Sequence, residues 1–79
     1  MKLEIKYFGQ VVEATNKEFE TREIPASTSV TGLKHALESF YPKLEKVTYS
    51  IAVNQSMVND EWVIENDCEI AVLPPFAGG

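Results

Sequence analysis

The residues with the clearest chemical potential stand at the C-terminal end of the sequence, Pro74-Pro75-Phe76-Ala77-Gly78-Gly79. Two glycines without Cβ atoms can pass through a channel too narrow for other residues. A terminal carboxylate, with a pKa of about 3.5, is ionised at neutral pH and is a poor electrophile until a partner activates it, for example as an acyl-adenylate made with ATP. A sulfur nucleophile could convert that adenylate into a thiocarboxylate. We therefore expect Gly79 to provide the reactive carboxyl group and Gly78 to thread it into a partner.

A Gly-Gly end is weak evidence by itself, because most domains have a frayed terminus. Here Pro74-Pro75 precede it, and two prolines cannot continue a sheet and favour an extended exit from the last strand. Six extended residues reach about 20 Å. We therefore predict a folded domain over residues 1–73 and an extended, flexible tail over residues 74–79. The chain would then be a substrate tethered to a domain, and not an enzyme on its own.

The other reactive residue types form no recognisable catalytic or metal-binding set. His35 falls on a predicted helix among charged residues, without a nucleophile at a suitable spacing, so we expect it to be solvated. Cys68 is the only cysteine, so an intrachain disulfide is excluded. We expect its thiol to be inert in a turn, in preference to a sulfur-relay thiol. Trp62 is expected in the core or as a lid over it. The following acidic side chains are expected to be solvated: Glu18, Glu20, Glu23, Asp60, Glu61, Glu65, Asp67 and Glu69.

Composition excludes several classes of function. The chain has 79 residues, enough for one domain with one core. Its formal net charge of -5 argues against nucleic-acid binding, which normally needs a basic surface. No apolar run approaches the roughly 20 residues of a membrane span, and the N-terminus alternates charged and apolar residues, unlike a signal peptide. We expect a cytoplasmic protein that binds neither membrane nor nucleic acid.

The first third of the chain predicts two strands joined as a hairpin. Alternation assigns an inward face to the first strand: Leu3, Ile5 and Tyr7. Phe8 then projects outward at the end of that strand. A turn is expected over residues 9–16, followed by a second strand over residues 17–24. That strand is predicted to be bulged, because Phe19 and Ile24 fall on opposite phases.

A helix is predicted next, beginning after Thr28 or Ser29, either of which can cap its first turn. Its apolar residues recur at three- and four-residue spacing: Val30, Leu33, Leu37 and Phe40. Gly32 costs about 1 kcal/mol relative to alanine inside a helix and is expected to permit a close approach to the sheet. Pro42 should end the helix near Tyr41.

The rest of the chain predicts short strands and no second long helix. The expected segments are a connector with one helical turn over residues 43–47, a strand over 49–53, a turn over 54–56, a very short strand at 57–58, a brief apolar segment at 62–64, and a last strand over 70–73. With the first and last strands parallel at the centre, this order predicts an α+β fold of the β-grasp type. We expect a mixed sheet of about five strands with one main helix packed across it.

Three segments carry a resemblance to a known family: Leu73 to Gly79, Tyr7 to Glu13, and Ala52 to Gln55. With them, the whole chain resembles the MoaD/ThiS family of ubiquitin-like sulfur carriers. The resemblance implies that a ubiquitin-activating-type enzyme uses ATP to adenylate Gly79. It also implies that a sulfurtransferase or cysteine desulfurase supplies the sulfur of a Gly79 thiocarboxylate. No cofactor is expected to be bound by the carrier itself.

Within that family, the chain is most similar to small subunits of molybdopterin synthase. This branch implies that the tail inserts into a large subunit and donates sulfur to precursor Z (cyclic pyranopterin monophosphate), within a heterotetramer of two small and two large subunits. By the same resemblance, partner contacts fall on Phe8, Met57 and Leu73, together with the tail residues Pro74, Pro75, Phe76 and Ala77. Strand alternation independently makes Phe8 an outward residue. For Met57 and Leu73, ordinary core packing is an equal alternative.

Two departures from the family pattern bear on these expectations. Relatives often carry arginine where this chain has Val12, so a charge contact with the activating enzyme is in question. The turn before the last strand lacks the usual glycine, which predicts a positive φ at Asn66 or Asp67. Three other functions stay open. They are a carrier for thiamin thiazole synthesis or transfer-RNA thiolation, a protein modifier joined through Gly79, and a non-covalent binding module. Pro74-Pro75 disfavour the thiamin carriers, which usually lack these prolines.

Overall fold

The computed structural model describes residues 1–75 of the chain. Its elements, in chain order, are β1 (Lys2–Tyr7), α1 (Gln10–Thr15), β2 (Phe19–Glu23), β3 (Thr28–Ser29), α2 (Val30–Phe40), a 3₁₀ helix (Pro42–Lys46), β4 (Ser50–Val53), β5 (Ser56–Met57), β6 (Val63–Ile64) and β7 (Cys68–Leu73). Neither α-helix of these 75 residues has the length and apolar character needed to cross a membrane.

Five of the strands form one mixed sheet in the order β2-β1-β7-β4-β5. The central strands β1 and β7 pair in parallel, with Leu3 opposite Cys68 and Tyr7 opposite Val72. The other pairs, β1 with β2, β4 with β7 and β4 with β5, are antiparallel. The predicted β-grasp fold is therefore confirmed. Strands β3 and β6 form a separate two-stranded sheet, which the sequence did not indicate because each strand has only two residues.

Helix α2 covers one face of the five-stranded sheet and encloses the core. Its residues Val30, Leu33 and Leu37 are fully buried, as the apolar spacing predicts. The Ser29 side chain accepts a hydrogen bond from the Gly32 amide at 3.0 Å, so Ser29 is the N-cap. The main buried sheet side chains beneath the helix are Leu3, Ile5, Tyr7, Ile51, Ile70 and Val72.

Two details of α2 differ from expectation. A Cβ atom at Gly32 would lie 3.1 Å from the Thr28 Cγ2 atom and 3.4 Å from the Ser29 Oγ atom. Gly32 therefore leaves room for the N-cap turn. The prediction that it permits a close approach of the helix to the sheet is wrong. Phe40, the last residue of the predicted apolar stripe, is exposed. The Arg22 guanidinium stacks 3.9 Å from the centre of its ring.

The predicted turn over residues 9–16 is wrong, because this segment forms α1. Gly9 reverses the chain with a φ of 56°, and the Val12 amide then donates to the Gly9 carbonyl. Val11 is fully buried, and the Thr15 hydroxyl donates to the Val11 carbonyl at 3.0 Å. The helix has only six residues, too few for periodicity to identify it from sequence.

The predicted bulge in the second strand is also wrong. Five consecutive residues of β2 pair with β1 in unbroken register, from Lys2–Glu23 to Lys6–Phe19. Ile24 lies one residue beyond the end of β2 and is buried there, where its amide donates to the Met1 carbonyl. Phe19 and Ile24 break the alternation because β2 ends between them, and not because the strand is irregular.

Two predictions for the later loops fail. Trp62 is 51% exposed and does not belong to the core; the buried residue of this segment is Ile64, two positions later. Neither Asn66 nor Asp67 has a positive φ; the positive values in this half of the described chain are at Asn54 and Gln55, 48° and 70°. Those two residues form the tight turn of the β4–β5 hairpin, where the twist of the strands favours positive φ.

Candidate functional site

The structure places the exit of the predicted tail at the end of a central strand. Strand β7 ends at Leu73, and the Phe8 amide donates to the Val72 carbonyl at 3.2 Å, which ties the end of β1 to it. A Cβ atom at Gly9 would lie 2.9 Å from the Pro74 Cγ atom. The Pro74 ring can therefore pack against Gly9 only because this residue has no side chain. The start of the tail is thereby held against the β1–α1 corner.

The remaining tail residues named from the sequence, Phe76, Ala77, Gly78 and Gly79, lie outside the described residues 1–75. Pro75, the last described residue, is exposed, and Pro74 is half-buried. The division into a domain over 1–73 and a tail over 74–79 stays a prediction. What the structure adds to it is the position of Pro74-Pro75 directly after the last sheet residue.

The three apolar contact residues predicted near the tail share one face of the sheet. We call the face opposite α2 the outer face. Leu73 pairs with Ser50 across β7 and β4, Met57 pairs with Ala52 across β5 and β4, and Phe8 follows the inward Tyr7. Phe8 is 42% exposed and Met57 is 61% exposed, so core packing of Met57 is excluded. Leu73 is half-buried. The structure thus brings these side chains to the face beside which the tail begins.

A polar cluster on the inner side of the same sheet end was missed by sequence reasoning. The Glu20 carboxylate, on β2, accepts hydrogen bonds from the hydroxyls of Tyr7 and Tyr41. It also accepts one from the Arg22 Nε atom at 3.1 Å, as an ion pair. Glu20 is therefore not a solvated acid, contrary to expectation. The cluster ties together β1, β2 and the C-terminal end of α2 next to the tail exit.

The contacts in this cluster set its protonation states. Burial raises the pKa of Glu20, but hydrogen bonds from Tyr41 and Tyr7 and the contact with Arg22 outweigh it, so the pKa of this carboxyl lies below its ordinary value. Burial, and next the hydrogen bond to Glu20, raise the pKa of both tyrosine hydroxyls. At neutral pH, Glu20 is ionised and both tyrosines are protonated donors.

Glu20→Gln should make the stability of the domain less dependent on pH. A carboxyl group whose pKa is lowered by folding stabilises the fold above its ordinary pKa of 4.5, and this contribution is lost as the pH falls through the lower, folded-state value. We expect the variant to lose about 1–2 kcal/mol of unfolding free energy at pH 7. The difference should shrink towards about pH 3. Urea unfolding at both pH values measures it.

The matched control is Glu23→Gln, which removes a carboxylate of the same strand that faces outward and is exposed. It should change stability little at either pH. An equal loss for Glu20→Gln at pH 7 and at about pH 3 would contradict the assignment of a lowered pKa.

Other residues singled out from the sequence lie apart from this site. His35 is exposed on α2, as expected. Cys68 begins β7, at the end opposite the tail, and is partly buried. Burial, followed by the charge of Asp67, raises the pKa of its thiol, which lowers the thiolate fraction needed of a sulfur-relay residue. Within residues 1–75, no group of three or more metal-ligating side chains is close enough to hold a metal ion.

The β-grasp fold, with Gly-Gly after a central parallel strand, defines the class of ubiquitin-like carrier domains. Sequence comparison gives the family: the chain belongs to the ThiS family, whose profile matches residues 5–79. Among curated relatives, the molybdopterin synthase sulfur carrier subunit of Caenorhabditis briggsae is 35% identical over 98% of this chain and 96% of its own length. The human protein of the same name is 33% identical over 98% and 93%.

Solved structures show the same fold at lower identity. A Pyrococcus furiosus protein assigned as molybdopterin converting factor subunit 1 superposes with a TM-score of 0.87 at 21% identity, over 96% of this chain and 99% of that one. Small archaeal modifier protein 1 of Haloferax volcanii gives 0.81 at 18% identity, over 95% and 98%. A chain from the complex of subunits 1 and 2 of the Helicobacter pylori molybdopterin-converting factor gives 0.65 at 23% identity, over the full length of both.

Proposed function

We propose that this protein is the sulfur-carrier small subunit of a molybdopterin synthase. Two of its relatives bear that name at 33–35% identity over nearly the whole chain. The tail begins at the end of β7, directly beside the exposed apolar residues of the outer face. This adjacency is the observation that carries the proposal, because a partner that binds the outer face receives the tail at the same time.

The chemistry follows from a carboxylate that must be activated elsewhere. The Gly79 carboxylate attacks the α-phosphorus of ATP in an activating enzyme, and pyrophosphate leaves. A persulfide sulfur on a sulfurtransferase or cysteine desulfurase then replaces AMP and gives an acyl disulfide between Gly79 and that enzyme. A second thiol of the enzyme attacks the enzyme-side sulfur, so that an enzyme disulfide forms and the Gly79 thiocarboxylate leaves. The carrier holds no cofactor and has no catalytic group of its own. Its site of action is the cytoplasm.

The domain contributes binding and delivery. The large subunit accepts the tail, and the thiocarboxylate sulfur forms a bond to precursor Z. Water then cleaves the bond between that sulfur and the Gly79 acyl carbon, which leaves the sulfur on the precursor and returns a Gly79 carboxylate for another cycle. In the complex, the walls of the large subunit's entry channel contact four tail residues: Pro74, Pro75, Phe76 and Ala77. Gly78 passes the narrowest point of that channel. Two small subunits serve one dimer of large subunits. Positioning of this kind turns a reaction between separate molecules into one within a complex.

Phe8→Ala should weaken the complex with the large subunit about fivefold to tenfold and leave the melting temperature nearly unchanged. The ring is partly exposed in the isolated chain and is buried only in the complex, where an aromatic side chain contributes more than 1 kcal/mol in favourable cases. Calorimetric titration of the large subunit measures the binding. A large fall in melting temperature with unchanged binding would place Phe8 in the core and contradict its role in docking.

One reconstitution separates this function from the other carrier functions. Thiocarboxylated protein is mixed with the large subunit and precursor Z, and molybdopterin is measured. Its appearance, at no more than one molybdopterin per two carriers because the dithiolene holds two sulfur atoms, supports the proposal. Adducts on the lysines of other proteins, detected by mass spectrometry in place of molybdopterin, would support a protein modifier and contradict it.

A further inference from the structure

The strand register places five residues in one row across the outer face of the sheet. Phe19 of β2 lies opposite Lys6 of β1, and Lys6 lies opposite Ala71 of β7. Ala71 pairs with Ala52 of β4, which pairs with Met57 of β5. We call this set the transverse row. Because neighbouring strands lie about 4.8 Å apart, the row spans about 19 Å from the Phe19 backbone to the Met57 backbone.

The side chains of the transverse row project far from the sheet at its two ends and only a short distance in its middle. Phe19 and Met57 are 52% and 61% exposed, whereas the two middle strands contribute alanines. The Lys6 ammonium is held by the Glu69 carboxylate at 3.0 Å, which leaves its aliphatic stem to line the row. The result is a shallow apolar trough, with Phe8 and Leu73 on its side nearest the tail. Phe19 is thus part of the same apolar surface although no sequence pattern linked it to the tail.

The outer face changes character on the other side of this row. Glu4, opposite Thr21 and Glu69, lies two residues before Lys6, which is a distance of about 7 Å along the strand. Beyond it, Glu23 lies opposite Lys2, and the Lys2 amide donates to the Asp67 carboxylate. The half of the face away from the tail is therefore acidic. Its carboxylates are those of Glu4, Glu23, Asp67 and Glu69, against the ammonium groups of Lys2 and Lys6.

We propose that the large subunit binds the whole transverse row, including Phe19, with an apolar surface that is bordered by basic residues facing Glu4 and Glu23. This inference rests on the proposed function and names the chemistry of the partner. The transverse row supplies affinity because the partner removes it from water. The acidic half of the outer face determines how the partner is oriented along the strands. The partner is thereby oriented with its channel at the tail end and its basic residues at the opposite end.

The test uses the full-length thiocarboxylated chain and its cognate large subunit, titrated by calorimetry at about 50 mM and about 300 mM NaCl. Phe19→Ser should weaken binding about fivefold to tenfold at both salt concentrations. Glu4→Gln should weaken it about threefold at the lower concentration and not measurably at the higher one. Neither variant should lower the melting temperature appreciably, because both side chains are exposed.

The matched control is Trp62→Ser. Its indole is 51% exposed, against 52% for Phe19, but it lines a groove with Asn54 and Cys68 at the end of the sheet away from the tail. It should bind like the wild type. If Phe8→Ala weakens binding and Phe19→Ser does not, or if Glu4→Gln has no effect at low salt, the extended surface is wrong while the proposed function stands. If the wild-type chain does not bind the large subunit, both fail.

Discussion

Removal of Gly79, or addition of one residue after it, should abolish sulfur transfer and leave the domain folded. The reactive group of the proposed carrier is the terminal carboxyl carbon, so an added residue moves it about 3.5 Å out of register with the activating site. Fold stability is expected to persist because the last buried core residue of the described chain is Val72. Molybdopterin formation with saturating large subunit measures the loss, and thermal unfolding measures the fold.

The control for this experiment is Lys43→Ala, an exposed residue of the 3₁₀ helix on the side of α2. It should leave both sulfur transfer and melting temperature unchanged. Mass spectrometry must show that the added residue is still present after the assay. Full activity of a chain that retains the extra residue would contradict the assignment of the reactive group to Gly79.

Ala71→Arg should weaken binding of the large subunit by about a hundredfold, which corresponds to about 2.7 kcal/mol. Ala71 lies in the middle of the transverse row, on the central strand β7. A long cationic side chain there stands above the floor of the trough and holds an apolar partner surface away from Phe8 and Leu73. Because the new side chain points to solvent in the isolated domain, we expect the melting temperature to change by only a few degrees.

A charge on the other side of the domain serves as the control for this substitution. His35→Arg places the same side chain on the exposed side of α2 and should bind the large subunit like the wild type. If Ala71→Arg retains wild-type binding while its circular dichroism and melting temperature are also those of the wild type, the outer face is not the docking surface.

The elements that could be predicted from the sequence are those with enough residues to show a period. Strand β1 alternates over six residues and α2 repeats over eleven, and both were predicted with the correct inward faces except for Phe40 at the end of α2, which is exposed. Helix α1 has six residues, and its start depends on a backbone reversal at Gly9. The two-residue strands β3 and β6 are defined only by their pairing with each other. Segments this short are determined by tertiary contacts.

The site shows the same division between local and distant information. The outward direction of Phe8 follows from the alternation of its own strand. The environment of Glu20 does not, because its partners Tyr7 and Tyr41 are 13 and 21 residues away. Phe19 can be assigned to the outer face only from the register of β1 and β2, because a one-residue shift of that register would turn its side chain inward.

The most direct test of the central claim is the intact mass of the carrier after incubation with its activating enzyme, ATP and a sulfur donor. Replacement of one carboxyl oxygen by sulfur raises the mass by about 16 Da. We predict that this species forms with the full-length chain, that fragmentation locates the added mass at Gly79, and that precursor Z with the large subunit returns the original mass. An unchanged mass under conditions in which the activating enzyme consumes ATP, or added mass located at Cys68, would contradict the account.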